Sequence, residues 1–512
     1  MSSRIQKSAK NAKYGLLSQL LYLVLMFAVR YVMIRYLGLT SVSLNGLFTQ
    51  VLGMLSLAEM GVGLAASYHL YGPLAKGDKK KVSAVMNLLR KAYYKIAAFI
   101  AVSGLALTPW IQYLVKDVDV PLPYLRVVYL MFLLTTSVSY LGSYKALLLS
   151  ADQKAYLSSK ISLAVRTVCS LLEIALIIVM RNFMLYLICE SVYQVVYNLA
   201  VSKAVTKRYP YLDKKTELSK TEKQGVFHDI RQIFAGRVSN KVLNSTDNIL
   251  LSIIVNTVSV GVYSQYSMFA NGFLRLFSAL NEAIVGSVGN ILVSEDKKKV
   301  SDSLRHADYL FYVMALFCGG CFYAAANPVF HTIFGWKYII EQPVLYLVIF
   351  NMFFEIIKMP LWTYFIADGM FAQDQYISFS GCILNIISSV ILGKRLGMAG
   401  IFLGTLLSLA LMYFWKLYLF SKKYEITISK KTAYLISAAG ILFLCGKIEF
   451  RTGHELVNAV LQAGVAGILS IAGGILPFIK TDEFQYLKHL LCDFAKKTRG
   501  CSKKRTDVTL SD

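Results

Sequence analysis

Fourteen apolar runs, most of them long enough for a helix to cross a membrane, set the limits on what this chain can fold into. A helix rising about 1.5 Å per residue needs about 20 apolar residues to span a hydrocarbon core of about 30 Å. The runs lie near 15–37, 44–71, 88–115, 121–149, 156–180, 183–203, 230–256, 260–288, 306–332, 343–366, 375–394, 397–421, 431–447 and 456–478. A mean hydropathy of +0.53 with 16% charged residues describes a chain that needs lipid around it. Lipid offers no hydrogen bonds to the backbone, so only helices and closed barrels can span it. A barrel would alternate apolar and polar positions over short segments, whereas runs such as Ala433–Cys445 are largely continuous. The expected fold is therefore an all-α polytopic membrane protein with about 14 transmembrane helices. Residues 1–14 are basic and polar and the first run shows no small-residue cleavage site, so this start reads as an uncleaved anchor.

The hexapeptide Asp78–Ser83 (DKKKVS) recurs unchanged at Asp296–Ser301, each copy between two apolar runs. Other features keep step with it. Pro109 and Pro328 fall near the far end of the following run, Pro121 and Pro343 open the next, and Asp152-Gln153 and Asp374-Gln375 mark the loop beyond. A repeat of six spans returns the chain to its starting side, so two such repeats share one orientation, as two parallel six-helix lobes. The lobes are placed at 1–215 and 216–425, with spans 13 and 14 (426–480) as an appended pair whose removal need not destroy the core. Residues 481–512 form a last segment in which Phe484, Leu487, Leu491 and Phe494 share one helical face, read as an amphipathic helix on the inner leaflet, or as a docking helix for a partner protein, with a polar tail beyond.

The net charge of +25 is a matter of topology rather than of nucleic-acid binding. The single connection between spans six and seven holds Lys203, Lys207, Arg208, Lys214, Lys215, Lys220 and Lys223, as many basic residues as all the loops on the opposite side. The positive-inside rule then puts both termini in the cytoplasm, and the basic excess meets anionic headgroups of the membrane lipids. Cys318-Gly-Gly-Cys321 lies inside a span and reads as small residues packing helices. The six His show no metal-ligand spacing, and no metal site or cofactor is expected. Neither a nucleophile constellation nor a phosphate-cradling loop is present, so an enzyme is not expected, and any work would draw on an ion gradient, with H+ or Na+ as the coupling ion, or on substrate flux.

Ionisable residues at membrane depth cost about 2.5–3.5 kcal/mol each, so they face one another or a watery cavity. This chain has many: Arg30, Glu59, Arg166, Glu173, Glu190, Arg237, Lys241, Asp247, Arg275, Glu282, Glu355 and Lys358. Arg237, Lys241, Asn244 and Asn248 share one helical face, as do Asn271, Arg275, Ser278 and Glu282, and again Asn351, Glu355, Lys358 and Trp362. Arg166 and Glu173, seven apart, read as a structural pair. The bases Arg237, Lys241 and Arg275 exceed their local acids, which favours a bound anion, and the planar guanidinium suits phosphate through paired hydrogen bonds. Glu59 and Asp247 are the candidates for carrying coupling protons, and Glu282 and Glu355 are further coupling or structural carboxylates.

The segments Arg35–Gly38 (RYLG), Leu44–Phe48 (LNGLF), Leu55–Gly61 (LSLAEMG), Leu70–Leu74 (LYGPL), Ser245–Asn248 (STDN) and Val260–Ser264 (VGVYS) resemble those of Wzx-type polysaccharide flippases of the multidrug/oligosaccharidyl-lipid/polysaccharide exporter superfamily. The resemblance covers residues 5–425. It implies lobes like those of MATE and MurJ proteins, and a bacterial inner-membrane protein that flips undecaprenyl-pyrophosphate-linked oligosaccharide by alternating access, for capsule, O-antigen or exopolysaccharide synthesis. It further implies polymerase or assembly proteins as partners, and a pyrophosphate-binding role for Arg30, Arg237, Lys241 and Arg275. A cation-coupled multidrug antiporter and a lipid II flippase are the competing readings; a non-transporting scaffold of a sugar-polymer assembly is a third.

Overall fold

A computed structural model describes residues 2–489 except 60, 61, 214, 295, 425 and 427; within its helices the side chains of 2–20, 57, 58, 64–66, 229, 231–241, 243, 244, 283–287, 289, 290, 293 and 294 are also outside the described set. The described residues form helices joined by connections, with no strand among them. The helices are α1 (Ser2–Leu55), α2 (Val62–Lys76), α3 (Lys79–Leu107), α4 (Ile111–Leu114), α5 (Leu122–Ala151), α6 (Ala155–Met180), α7 (Phe183–Arg208), α8 (Lys220–Leu250), α9 (Thr257–Ser294), α10 (Lys297–Phe334), α11 (Gln342–Ala367), α12 (Phe371–Leu396), α13 (Met398–Tyr424), α14 (Ile428–Cys445) and α15 (Glu455–Ile475). Each of the fourteen apolar runs falls on helix, and eleven of the described helices are long and apolar enough to cross a membrane. Large apolar side chains point outwards from them, among them Val179, Val460 and Ile468, at 74%, 72% and 71% exposure. In water such a surface would be untenable; against lipid it is the expected one. The chain is a multi-pass membrane protein.

The boundaries differ from expectation where the backbone turns without leaving a helical path. Spans one and two run together in α1, broken only at Gly38, whose φ of 79° a side chain would disfavour. Span two is itself interrupted at Ser56–Glu59 by a 3-10 turn before α2 resumes. The duplicated hexapeptide is not loop. Asp78 and Asp296 are N-caps, accepting from the backbone N–H of Lys81 and of Lys297 at 3.0 Å, and the lysines form the first turns of α3 and α10. The apolar and small residues that follow, Val82 and Ser83 or Val300 and Ser301, are buried. Each copy is thus a helix start with a charged outer and a packed inner face. Pro121 and Pro343 likewise stand at the starts of α5 and α11, where a missing N–H costs nothing.

The chain divides into two compact units. The first comprises residues 1–265 and 382–404. In it α1 packs on α6 and α8, and α5 on α3 and α7. Close approach is enforced at Gly261, where a Cβ would overlap Ser43 Oγ, and at Gly142, where it would meet the Asn198 carboxamide; that amide donates to Val138 O at 2.9 Å. The basic connection after α7 is docked along α3. Ser83 Oγ donates to Tyr211 O (3.2 Å) and Asn87 Nδ2 to Thr216 O (2.9 Å). Glu217 accepts from Lys91 and, at 2.7 Å, from Lys223, and these hydrogen bonds hold its carboxyl down at about 2.

The second unit comprises residues 266–381 and 405–512. Its spine is α10, whose packing on α15 is the most extensive of the described helix pairs. Small residues allow it: a Cβ on Gly320 would overlap Ser470 Oγ, and one on Gly467 would press on Phe317 and Cys321. Cys318 and Cys321 are free thiols here, the latter donating weakly to Ala463 O, in keeping with the packing role expected of them. Tyr309 OH donates to Gly474 O (3.2 Å), and Tyr312 stacks on Tyr434 of α14 with Phe478 against both. Asp308 of α10 is ion-paired with Lys431 of α14, both buried. The α14–α15 pair, expected as an appendage, thus packs extensively on α10. The helix that follows, 482–489, is also held by its own chain: Glu483, 1% exposed, pairs with Lys430 (3.0 Å) and Arg305 (3.7 Å), and Leu487 is buried. Of the face expected to lie on lipid, Leu491 and Phe494 are outside the described residues.

Two predictions follow from these contacts. Lys431→Met should cost about 3–5 kcal/mol, because it leaves Asp308 charged and unpaired, and Asp308→Leu with Lys431→Met should recover most of it; thermal unfolding of detergent-solubilised protein reads both. Because the Glu217 carboxyl is depressed below its ordinary 4.5, its contribution to docking is complete above pH 4.5 and fades as pH falls towards about 2. Hydrogen exchange of 209–219 should accordingly rise in that acid window, and in Glu217→Gln it should already be fast at pH 7.

Candidate substrate-binding site

Inside the first unit, α1, α5, α6 and α7 enclose a cavity of about 360 Å³. Two guanidinium groups reach it, and they differ in their surroundings. Arg166 of α6 is neutralised: its Nη1 donates to Glu190 Oε1 of α7 at 2.8 Å, its Nη2 lies 3.5 Å from Glu173 Oε2, and its planar head sits 5.1 Å from the Tyr193 ring. Glu173 is fully buried. The expected Arg166–Glu173 pair is present, and Glu190 makes it a triad. Tyr186 OH donates onward to Glu190 Oε1 (3.4 Å) and accepts from Asn45 Nδ2 (3.0 Å).

Arg30 has no such acid among the described residues. Its Nη1 is buried and without a hydrogen-bond partner, on the wall that Asn45, Thr49, Thr135 and Gln194 complete. A buried cation left this way is costly, and the cost is removed by an anion entering the cavity. The hydroxyls and amides on the wall offer neutral hydrogen bonds to such a guest, and the Glu190 carboxylate that shares the cavity is held by Arg166.

The other expected site residues are distributed as follows. The helix bearing Arg237 and Lys241 is α8, in the first unit; both side chains lie outside the described residues. Asp247, on α8 beyond them, is half-buried, near Tyr263. Arg275 belongs to the second unit, where Asn271, Arg275, Ser278 and Glu282 are all exposed on α9. At membrane depth an exposed face of this chemistry requires water, as the spacing implied. Glu59 accepts from Tyr93 OH at 2.9 Å. Glu355 is engaged by Lys358 Nζ at 2.6 Å, with Trp362 5.3 Å from the same ammonium, so its first role is structural. Beyond it, Lys416 is fully buried, 3.7 Å from the centre of the Trp362 ring and paired with Asp374.

Sequence reasoning found Arg30 and the Arg166–Glu173 pair but not Glu190, Tyr186 or Asn45 as their neighbours. The i, i+4 spacing of Tyr186 and Glu190 was a usable signal. Asn45 had none, because only packing brings α1 against α7.

The fold is that of known membrane transporters. Over 92% of this chain and 99% of its own, lipid II flippase MurJ in an inward closed conformation matches with a TM-score of 0.65 at 14% identity. A multidrug resistance MATE family transporter of the MOP superfamily, in an inward-facing conformation, matches over 78% of this chain and 95% of its own with a TM-score of 0.62 at 15% identity. A MOP superfamily transporter from Pyrococcus furiosus, described as having a binding pocket of reverse polarity, matches over 79% and 95% with a TM-score of 0.53 at 11% identity. No family model matches the sequence, and no curated protein matches it. The chain is thus an all-helical membrane protein with the MATE and MurJ fold.

The contrast between the two arginines is open to direct measurement. Arg166→Met should destabilise the protein by about 3–5 kcal/mol by leaving two carboxylates facing each other, whereas Arg30→Met should leave stability unchanged or raise it. Melting of the two purified variants beside the parent checks the pair.

Proposed function

We propose that this protein flips undecaprenyl-pyrophosphate-linked oligosaccharide repeat units across the bacterial inner membrane for capsule, O-antigen or exopolysaccharide synthesis, by alternating access. The observation that carries the reading is Arg30, whose buried Nη1 has no hydrogen-bond partner among the described residues and faces a cavity it shares with the Arg166–Glu190 pair and with Asn45, Thr49, Thr135 and Gln194. Such a site selects an anion with several acceptor oxygens, and a pyrophosphate head has them. Arg237, Lys241 and Arg275 are assigned to the same anionic head during passage, with the polyprenyl tail left in lipid. The lobes are 1–215 and 216–425 in this scheme, both termini are cytoplasmic, and polymerase or assembly proteins take up the product. Coupling to H+ or Na+ falls to Glu59 or Asp247.

The fold supports transport, and the likeness to MurJ extends over more of the chain than the likeness to the MATE transporter. An antiporter for cationic drugs would want its free charge to be a carboxylate, whereas Glu190 accepts a hydrogen bond from Arg166 and Glu173 lies 3.5 Å from the same guanidinium.

Arg30→Gln, and separately Arg237→Ala with Arg275→Ala, should abolish transfer of a fluorescent lipid-linked oligosaccharide in proteoliposomes while leaving insertion normal. Full transfer by both variants would sink the mechanism. Transfer of lipid II in preference to other lipid-linked sugars would move the substrate to murein precursors, and resistance to cationic drugs in a pump-deficient strain would favour the antiporter.

A further inference from the structure

The second unit holds a larger cavity, of about 810 Å³, at the end of α10 remote from its lysine-rich start. Its walls come from the last turns of α10, the turn before α11, the 446–453 connection and the first turns of α15. We infer that it binds an uncharged oligosaccharide, the glycan part of the transported molecule on the face where it is released; the origin of that glycan rests on the function proposed above, the pocket's chemistry does not.

The inner wall is built and rigid. Asn327 Nδ2 donates to Ile340 O (3.0 Å) while its Oδ1 accepts from Tyr266 OH (2.6 Å), and the same tyrosine oxygen accepts from Ile340 N (3.1 Å). Gln462, 6% exposed, bridges Ala324 O (2.7 Å) and Phe450 N (3.2 Å) in the amide orientation that satisfies both, tying the connection to α10. Asn458, 7% exposed, accepts through Oδ1 from the N–H and hydroxyl of Thr452 (2.9 and 2.7 Å). Its Nδ2 on the cavity wall has no hydrogen-bond partner among the described residues, an oriented donor held for something that is not protein.

At the mouth, Trp336 is 74% exposed, its ring 4.0 Å from that of His331 and inclined at 44°. An indole left open beside a polar cavity presents a flat apolar platform of the kind on which the C–H face of a pyranose stacks. The charges are Glu341, Glu449 and Glu455 against Arg451, with His331 Nδ1 3.3 Å from Glu455 Oε1. Arg451 pairs with Glu449 at 3.3 Å, so the lining keeps an acidic excess that repels a phosphate or a uronic acid, while its carboxylates accept charge-assisted hydrogen bonds from hydroxyls. Aromatic platform, carboxylate acceptors and a fixed amide donor together describe a neutral sugar. The volume lies within the roughly 300–1,000 Å³ that encloses a drug-sized ligand, enough for a few sugar rings.

The test uses the full chain in lipid nanodiscs with free maltotetraose and chitotetraose as probes, and saturation-transfer NMR as readout. At least one tetrasaccharide should receive saturation from the protein and inorganic pyrophosphate should not displace it. Trp336→Ala should remove the signal, and Asn458→Asp, which keeps the Oδ1 acceptor but turns the donor into a charged acceptor, should weaken it at least fivefold. Absence of transfer to both sugars, equal transfer in both variants, or displacement by tetraphenylphosphonium would overturn the proposal. Sugar binding in a protein that fails to flip lipid-linked sugar would defeat the proposed function and leave this pocket standing, and Arg30→Gln should keep sugar binding while losing transfer.

Discussion

Charge at membrane depth must be neutralised by a partner or by water, and the interior of both units is arranged around that requirement. In the first, one arginine serves two carboxylates, so that Arg166, Glu173 and Glu190 form a closed group with a tyrosine and an asparagine extending it. In the second, Asp308 meets Lys431 and Asp374 meets Lys416 in the same way. Arg30 differs from these groups in having no ion-pair partner among the described residues, and its buried Nη1 has no hydrogen bond there.

The pairs also account for how helices of limited intrinsic specificity find their partners. Lipid-facing apolar surface supplies no preference for one neighbour over another, so packing of small residues and interhelical polar contacts decide it. Along α10 the decisive features are glycines at the α15 contact, the tyrosines that reach α14 and the 474 carbonyl, and one buried ion pair. This is why a pair of helices with no counterpart in the internal repeat is nonetheless integral to its unit. The same pair brings the 446–453 connection over the end of α10, and with it a second cavity of a different character: three carboxylates and an open indole line it, where two arginines and one carboxylate line the first.

Much of this was legible in one dimension. Span number followed from hydropathy because helix length and bilayer thickness are matched physical quantities. The repeat was visible because capping aspartates and helix-starting prolines obey local rules; in both copies of DKKKVS the lysines form a first turn that Asp78 or Asp296 caps. Spacing of seven revealed Arg166 and Glu173 because they share one helix. What could not be read was any relation across helices. Glu190 closes on Arg166 from α7 and Lys431 on Asp308 from α14, and no spacing within one helix announces either contact.

The amino-acid sequence by itself determined that this is a helical membrane protein with a duplicated plan, and which residues are too polar for lipid, since both depend on transfer free energies that each residue carries wherever it sits. Only the tertiary structure decided which of those polar residues are spent on one another and which stay open. Pairing is a matter of ångströms between different helices: Glu190 reaches Arg166 and Asn45 reaches Tyr186, while Arg30 is left facing a cavity.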